Sequence, residues 1–475
     1  MSMRLTREQI QKIIEDMERQ IAKNPRSKEA HHDLAVARME LGQFDQALSG
    51  FLRAFELDPR FVSAAYLAGI CYAELGKPDE AVDMWKKTVE LNKRHDNAIY
   101  FIGKIYGMKG MWDMAIHQFN QAIKINDEMP QYYSGLAEMY LGKGDLAEAI
   151  KQWHKILTFN EQDAQAHVNL SAAYLDANYM ESSIRHGTIA LSLGVASPIV
   201  YYNLGMAYLF IGLQEDSLKY LKLAKEADPE DHATRLSLGE AYIASGDREA
   251  AKAEWLELLE KEPNSADAMY NLGLAAAQEG SGQEALDYYE KTLAIDPLYV
   301  PAIANQGIQY YTDGKMEESL ERWQKVLTID PLHQQSLGNI VEINQQLNRI
   351  EEAEKALEDA IEKHPEEARF TYLQGVLALG QNRLKDTLSF WQKAESQNSE
   401  ILVSYATAIQ EMLKDGKFEQ IMAAAGDQDQ DFLTRLQEIN SGQAVQQIIE
   451  AAKVQAAVQK EEKKGLLDKL KQMFK

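Results

Sequence analysis

A single cysteine, Cys71, among 475 residues excludes an internal disulfide and any cysteine-ligated metal cluster. Positive charge is also short. Fifty lysines and arginines stand against 73 aspartates and glutamates, a net charge of −23. Residues 1–25 and 440–475 are weakly basic, which leaves −27 on the interior. That balance argues against nucleic acid as a ligand; a protein or peptide, with a basic one favoured by the charge, is the expected partner class. No stretch approaches the roughly 20 apolar residues that span a bilayer. Met1–Arg19 is charged and periodic, without the apolar stretch of a signal peptide. A cytoplasmic location, at most peripheral to the inner face of a membrane, is therefore expected.

The motifs of catalysis are missing too. The ten histidines read as scattered, with His31 and His32 adjacent and thus on different helix faces. The Gly-Lys dipeptides at 76–77, 142–143 and 314–315 lack the upstream glycine and the following Ser or Thr of a phosphate loop. No enzymatic activity, cofactor or metal is expected.

Proline is sparse, 11 in the whole chain, yet seven of these share one lattice of 34 residues: Pro25, Pro59, Pro229, Pro263, Pro297, Pro331 and Pro365. Pro130 and Pro198 lie two periods apart at a second phase. A single closed core does not generate such a period; one supersecondary unit repeated along the chain does. Counted from residue 28, eleven repeats of 34 residues run to residue 401 without insertion. Position 8 is glycine in seven of them, including Gly69, Gly239, Gly307 and Gly375. Position 20 is always Ala, Ser or Thr, from Ala47 to Thr387. Position 24 holds five of the six tryptophans: Trp85, Trp153, Trp255, Trp323 and Trp391. Small residues at two places let two helices approach closely, and a large side chain at a fixed offset fills the space between them. A glycine or short polar break separates the helices, as at Ser245-Gly246-Asp247. Asp58-Pro59 and Asp296-Pro297 end second helices, because proline cannot continue one. No strand alternation survives, so the chain reads as all-α.

This period, with its small residues and trailing proline, resembles the tetratricopeptide repeat. The resemblance covers residues 28–401 and implies a right-handed superhelical α-solenoid whose first helices line a concave face. It divides the chain into a capping helix in 1–27, eleven repeats in 28–401, a degenerate repeat with capping helices in 402–458, and a charged linker with a basic amphipathic helix in 459–475.

By the same resemblance, positions 2, 5, 6, 9, 12 and 13 face the groove. Position 6 is Asn169, Asn203, Asn271, Asn305 and Asn339 in repeats 5, 6, 8, 9 and 10. An amide carries both donors and an acceptor, so a row of them suits a peptide backbone whatever its side chains. The row resembles the asparagine ladder of O-linked N-acetylglucosamine transferases, although the residues after repeat 11 are too few for a glycosyltransferase domain. Tyr66, Tyr100, Phe101, Tyr202, Met206, Phe210, Tyr270 and Tyr311 add an aromatic and apolar stripe of the kind that marks a binding surface. The basic clamp that chaperone-binding members of the family use is absent; only Lys104 is a candidate.

In the last eleven residues, Leu466, Leu467, Leu470, Met473 and Phe474 make an amphipathic stripe beside Lys469, Lys471 and further lysines. It resembles the C-terminal targeting tails of bacterial division and cell-positioning proteins. Such a helix lies on an anionic membrane, docks into a partner, or folds back on the repeats. The sequence thus reads as a non-catalytic scaffold that binds an extended segment in its groove and is tethered by its tail. Alternatives are a structural, self-assembling subunit and an accessory subunit that presents substrate to a separate enzyme; the oligomeric state stays open.

Overall fold

A computed structural model describes residues 6–414, 416–425 and 430–441, and every regular element among them is a helix. The tail residues Leu466, Leu467, Lys469, Leu470, Lys471, Met473 and Phe474 lie outside the described residues, as does the part of the expected capping segment beyond residue 441. The helices form two compact bodies, Met1–Pro229 and Glu230–Lys475.

Each repeat is a helix pair, for example Val62–Glu74 with Pro78–Leu91 and Ala266–Gln278 with Gly282–Ile295. Two local devices set the lengths. The first is position 15, where the chain leaves the first helix with positive φ in all eleven repeats. Eight use glycine, from Gly42 to Gly314, and three use asparagine: Asn178, Asn348 and Asn382 at φ 58–62°. Asparagine is the residue other than glycine that tolerates this region best. The second device is at position 31, where an Asp or Asn side chain accepts the N–H two residues on. Asp58 takes Arg60 N–H at 3.0 Å, Asp296 takes Leu298 at 2.9 Å and Asn126 takes Glu128 at 3.3 Å. Proline suits the intervening position 32, where no donor is needed.

Packing within a repeat is a knob over a hole. A Cβ placed on Gly69, Gly239 or Gly375 would overlap the indole of Trp85, Trp255 or Trp391. Those indoles also donate to the carbonyl at position 5 of the first helix, Tyr66, Leu236 and Tyr372, at 3.2–3.3 Å. The same tryptophans then reach the next repeat: Trp255 packs with Leu258, Leu272 and Ala275.

Repeat 5 departs from this scheme. Its positions 8 and 20 are Ser171 and Ser183, each hydroxyl donating to the other's carbonyl at 2.9 and 2.8 Å. Position 24 is Gly187, and Leu204 from repeat 6 lies against it. Its second helix, Met180–Ser192, ends early at Gly194, φ 88°.

The ends are closed by helices of their own. Arg7–Lys23 starts with a Thr6/Gln9 capping box and buries Ile10 and Ile14 against Leu34 and Ala37. After repeat 11, the degenerate repeat expected in 402–458 begins with two short helices, Ile401–Ser404 and Ala406–Met412. The break between them is at Tyr405, whose ring stacks on Tyr372 at 4.2 Å. Phe432, Leu436 and Ile439 complete this terminal core, and Arg435 grips the buried Glu395 at 2.5 and 2.6 Å.

Because each repeat touches only its neighbours, damage should stay local. Gly239→Leu drives a side chain into Trp255 and is expected to cost about 1–3 kcal/mol by overpacking. Hydrogen exchange should show lost protection in repeats 7 and 8 with repeats 1–3 unchanged; a uniform loss along the chain would refute the local scheme.

Candidate binding surfaces on the first helices

The asparagines of position 6 do not share one environment. Asn203 is a correction to the groove reading: it is 2 % exposed, and its amide nitrogen finds no partner. The cause is the missing bulk at Gly187, which lets the first helix of repeat 6 close onto repeat 5. Asn169 is half-buried and accepts from Gln165 at 3.0 Å. Asn305 donates to the Tyr270 hydroxyl at 3.0 Å. Asn271 and Asn339 instead wall two cavities.

Several aromatic candidates serve packing as well. The Phe101 ring stacks on Trp85 at 5.2 Å, and Tyr66 lies against His95 at 4.5 Å. Tyr100 meets Phe119 edge-on and tilts against Tyr132. These three are half-buried mortar between repeats 2, 3 and 4, not a free stripe. Tyr270 likewise packs between Tyr289 and Tyr299. Tyr202 and Met206 are half-buried, whereas Phe210 is 62 % exposed. Tyr311 donates to Glu342 at 2.9 Å and accepts from Gln346 at 2.6 Å.

Within the carboxy-terminal body, the two cavities open between consecutive first helices. One, about 130 Å³, lies between repeats 7 and 8 with Trp255 as its floor. The other, about 220 Å³, lies between repeats 9 and 10 with Trp323 as its floor. Trp255 and Trp323 are two repeats apart, and so are Asn271 and Asn339. The sites are not identical: the glutamate stands on the earlier repeat in the first and on the later repeat in the second, and the Trp323 indole N–H is buried without a partner, unlike that of Trp255.

Histidines that look scattered in sequence assemble in repeat 5, a correction that only the folded helix pair supplies. His167 and His186, both buried, face each other Nδ1 to Nδ1 at 2.8 Å. His167 Nε2 lies 3.0 Å from the Glu161 carbonyl, which only accepts, so this nitrogen carries the proton. In the neutral pair His186 Nδ1 must then donate to His167 Nδ1. Tyr174 stacks on His186 at 5.5 Å, and its hydroxyl meets His154 Nε2 at 2.7 Å. The positions are 19 residues apart, a spacing that points to contact only once the repeat register is known. Among the described residues, no group of three or more histidine, cysteine, aspartate or glutamate side chains is placed to hold a metal.

Burial, then the neighbouring His167, His154 and Arg185, push His186 down to about 4. The unfolded chain binds its proton near pH 6.5, so the folded state resists protonation that the unfolded state accepts. The stabilisation is complete above 6.5 and drains away as pH falls towards 4. Repeat 5 is expected to lose about 2 kcal/mol of opening free energy at pH 5 relative to pH 7.5. Hydrogen exchange corrected for intrinsic rates would show this, and His186→Gln, which keeps a donor, should flatten the dependence. A wild-type repeat 5 as indifferent to acid as the variant would show that the pair does not titrate this way.

Comparison with known proteins agrees with the helix-pair geometry. The tetratricopeptide-repeat profile matches residues 32–86, 103–157, 236–299 and 344–395, and a second such profile matches 199–231. No curated protein matches the sequence. Among solved structures, a MamA double mutant is 18% identical over 35% of this chain and 94% of its own, with a TM-score of 0.34. MamA itself is 22% identical over 42% of this chain and 95% of its own, TM-score 0.28. YrrB, described as a tetratricopeptide-repeat protein with an unusual peptide-binding site, is 19% identical over 49% of this chain and 99% of its own, TM-score 0.31.

Proposed function

The chain belongs to the tetratricopeptide-repeat family, a fold of protein-interaction scaffolds, and we propose that it captures an extended segment of a partner protein along its first helices. The observation that carries this reading is the pair of cavities at the same register two repeats apart, each with an asparagine wall and a tryptophan floor. A recurrent cavity between recurrent helices suits a ligand that is itself extended and periodic, as a peptide strand is. Phe210 and Ile308, exposed at 62 and 44 %, add apolar surface on the first helices of repeats 6 and 9. At a net ~1 kcal/mol per hydrogen bond, amides alone hold a peptide weakly, so such side-chain anchors are needed.

The reading is tested by placing a photo-crosslinking residue at Phe210 or Ile308 and, as control, at Leu256 on a second helix. Adducts to a partner in host extract are expected from the first two sites and not from the third. Adducts from Leu256 alone would move the interaction surface to the second helices and end this reading.

We further propose that the basic C-terminal stripe tethers the scaffold to an anionic membrane surface, which its alternation of Leu466, Leu470 and Phe474 with Lys469 and Lys471 supports. Each lysine near such a surface contributes about 1 kcal/mol. The full chain should co-sediment with anionic vesicles, be released by salt, and lose this on deletion of 460–475. Equal sedimentation with neutral vesicles would dispose of the tether.

A further inference from the structure

The tryptophan-floored cavities between repeats 7 and 8 and between repeats 9 and 10 have a second property in common. Each sets a carboxylate and two amides against an apolar floor. Glu240, Asn271 and Gln278 stand over Trp255 and Ile243 in the first. Glu342, Asn339 and Gln335 stand over Trp323 and Ile343 in the second.

No cation of the first helices answers these carboxylates. The first helices of repeats 8, 9 and 10 contain no lysine or arginine. The one arginine in that of repeat 7, Arg235, is buried and lies 2.8 Å from Glu257. Glu342 receives neutral donors, the Tyr311 hydroxyl at 2.9 Å and the Gln346 amide at 3.2 Å. Asp267, beside the first cavity, receives the Tyr299 hydroxyl at 2.7 Å. Glu240 feels the surrounding protein and then Asp267, and both hold its carboxyl above the ordinary value. Residues 232–367 carry 27 acidic and 11 basic side chains, so repeats 7–10 hold most of the net −23.

We propose that the two cavities are subsites for lysine or arginine side chains of the partner segment, with the methylene stem on the accessible apolar lining, Ile243 and Leu274 in the first and Ile308 and Tyr311 in the second, and the cation at the glutamate. The subsites presuppose that the first helices bind an extended segment, and they add the chemistry of that segment. Long cationic side chains are the ones that bury a stem while keeping the head in polar surroundings. A wholly apolar side chain would strip water from the carboxylate and give nothing back. An acidic one would meet like charge.

The test uses the full chain and three fluorescein-labelled peptides, built of repeating Lys-Ala-Ser, Leu-Ala-Ser and Glu-Ala-Ser, monitored by anisotropy at physiological salt. The lysine peptide should bind tightest. The E240Q/E342Q double variant should weaken it about tenfold, with an unchanged circular-dichroism melt. Glu358→Gln, exposed on the second helix of repeat 10, should leave binding as it was. Equal losses from E358Q and the double variant would mean diffuse attraction to an acidic surface, and the subsites would fall. A leucine peptide that binds as tightly as the lysine peptide, unaffected by E240Q/E342Q, would also overturn them while leaving the binding groove in place. If no peptide binds, crosslinking at Ile308 separates the two failures: persistent adducts overturn the cation subsites alone, and lost adducts remove the binding reading as well.

Discussion

The indole of Trp255 occupies the space that a side chain at residue 239 would need, which is open only because that residue is glycine. The same overlap recurs at Gly69 with Trp85 and at Gly375 with Trp391. Close approach brings the indole N–H within reach of a first-helix carbonyl, and the ring then extends to the next repeat. One contact therefore sets the spacing of the two helices and couples consecutive pairs. It also explains why the described residues bury a series of small cores and not one large one. Burial is completed by each neighbour in turn, so the solvent faces of the first helices are left over for other uses.

Elements governed by this contact were legible in the sequence, because all of their determinants lie inside one period. Position 8, position 20, the Asp-Pro turn and the break near position 15 can be aligned by counting alone. The candidate site was less legible. Asn203 matches Asn169 and Asn271 in register, but its burial depends on Gly187, a residue of the preceding repeat whose effect is steric and not periodic. Tyr66, Tyr100 and Phe101 fit a groove-facing pattern, yet their rings meet partners as far as 35 residues away. A position on the exposed face says where a side chain starts; long aromatic side chains reach back across the seam between helices. His167 and His186 escaped for a related reason, since a contact at 19 residues matches no motif until the two helices of a repeat are folded together.

Without its knob, a repeat must hold its two helices together by other means, and repeat 5 does so with polar groups. With glycine at position 24, serine at positions 8 and 20, and a histidine pair beside them, its interior is held by polar bonds in place of the large side chain at position 24. Each of those bonds is worth about 1 kcal/mol net but costs more when one partner is lost. A polar interior of this kind is specific in geometry and sensitive to protonation. It lies within the amino-terminal body, flanked by repeats whose positions 24, Trp153 and Leu221, are large and buried. Among repeats coupled only to their neighbours, local opening is set by the weaker ones, so repeat 5 is expected to be one place where acid opens the amino-terminal body.

The distribution of charge arises from the same layout. Many cations of the chain sit near the turns and bind an acid about one repeat away: Lys28 with Asp58 at 2.5 Å, Lys143 with Asp113 at 2.6 Å, Lys261 with Glu230 at 2.6 Å, Arg383 with Glu354 at 2.5 Å. Lys109 with Asp79 and Arg349 with Glu317 repeat the arrangement. Partly exposed pairs such as these contribute little to stability, typically about 0–1 kcal/mol. Their effect is on placement. They hold cations at the edge between neighbouring repeats, and the first helices of repeats 8 to 10 contain none of their own. With the cations engaged at the rim, the isolated carboxylates Glu240 and Glu342 on the first helices stay available to charge brought by something else. Most of the negative charge of repeats 7 to 10 thus lies on second helices and turns, and the few carboxylates of the first helices, Glu240, Asp267 and Glu342, stand on surfaces almost free of cations.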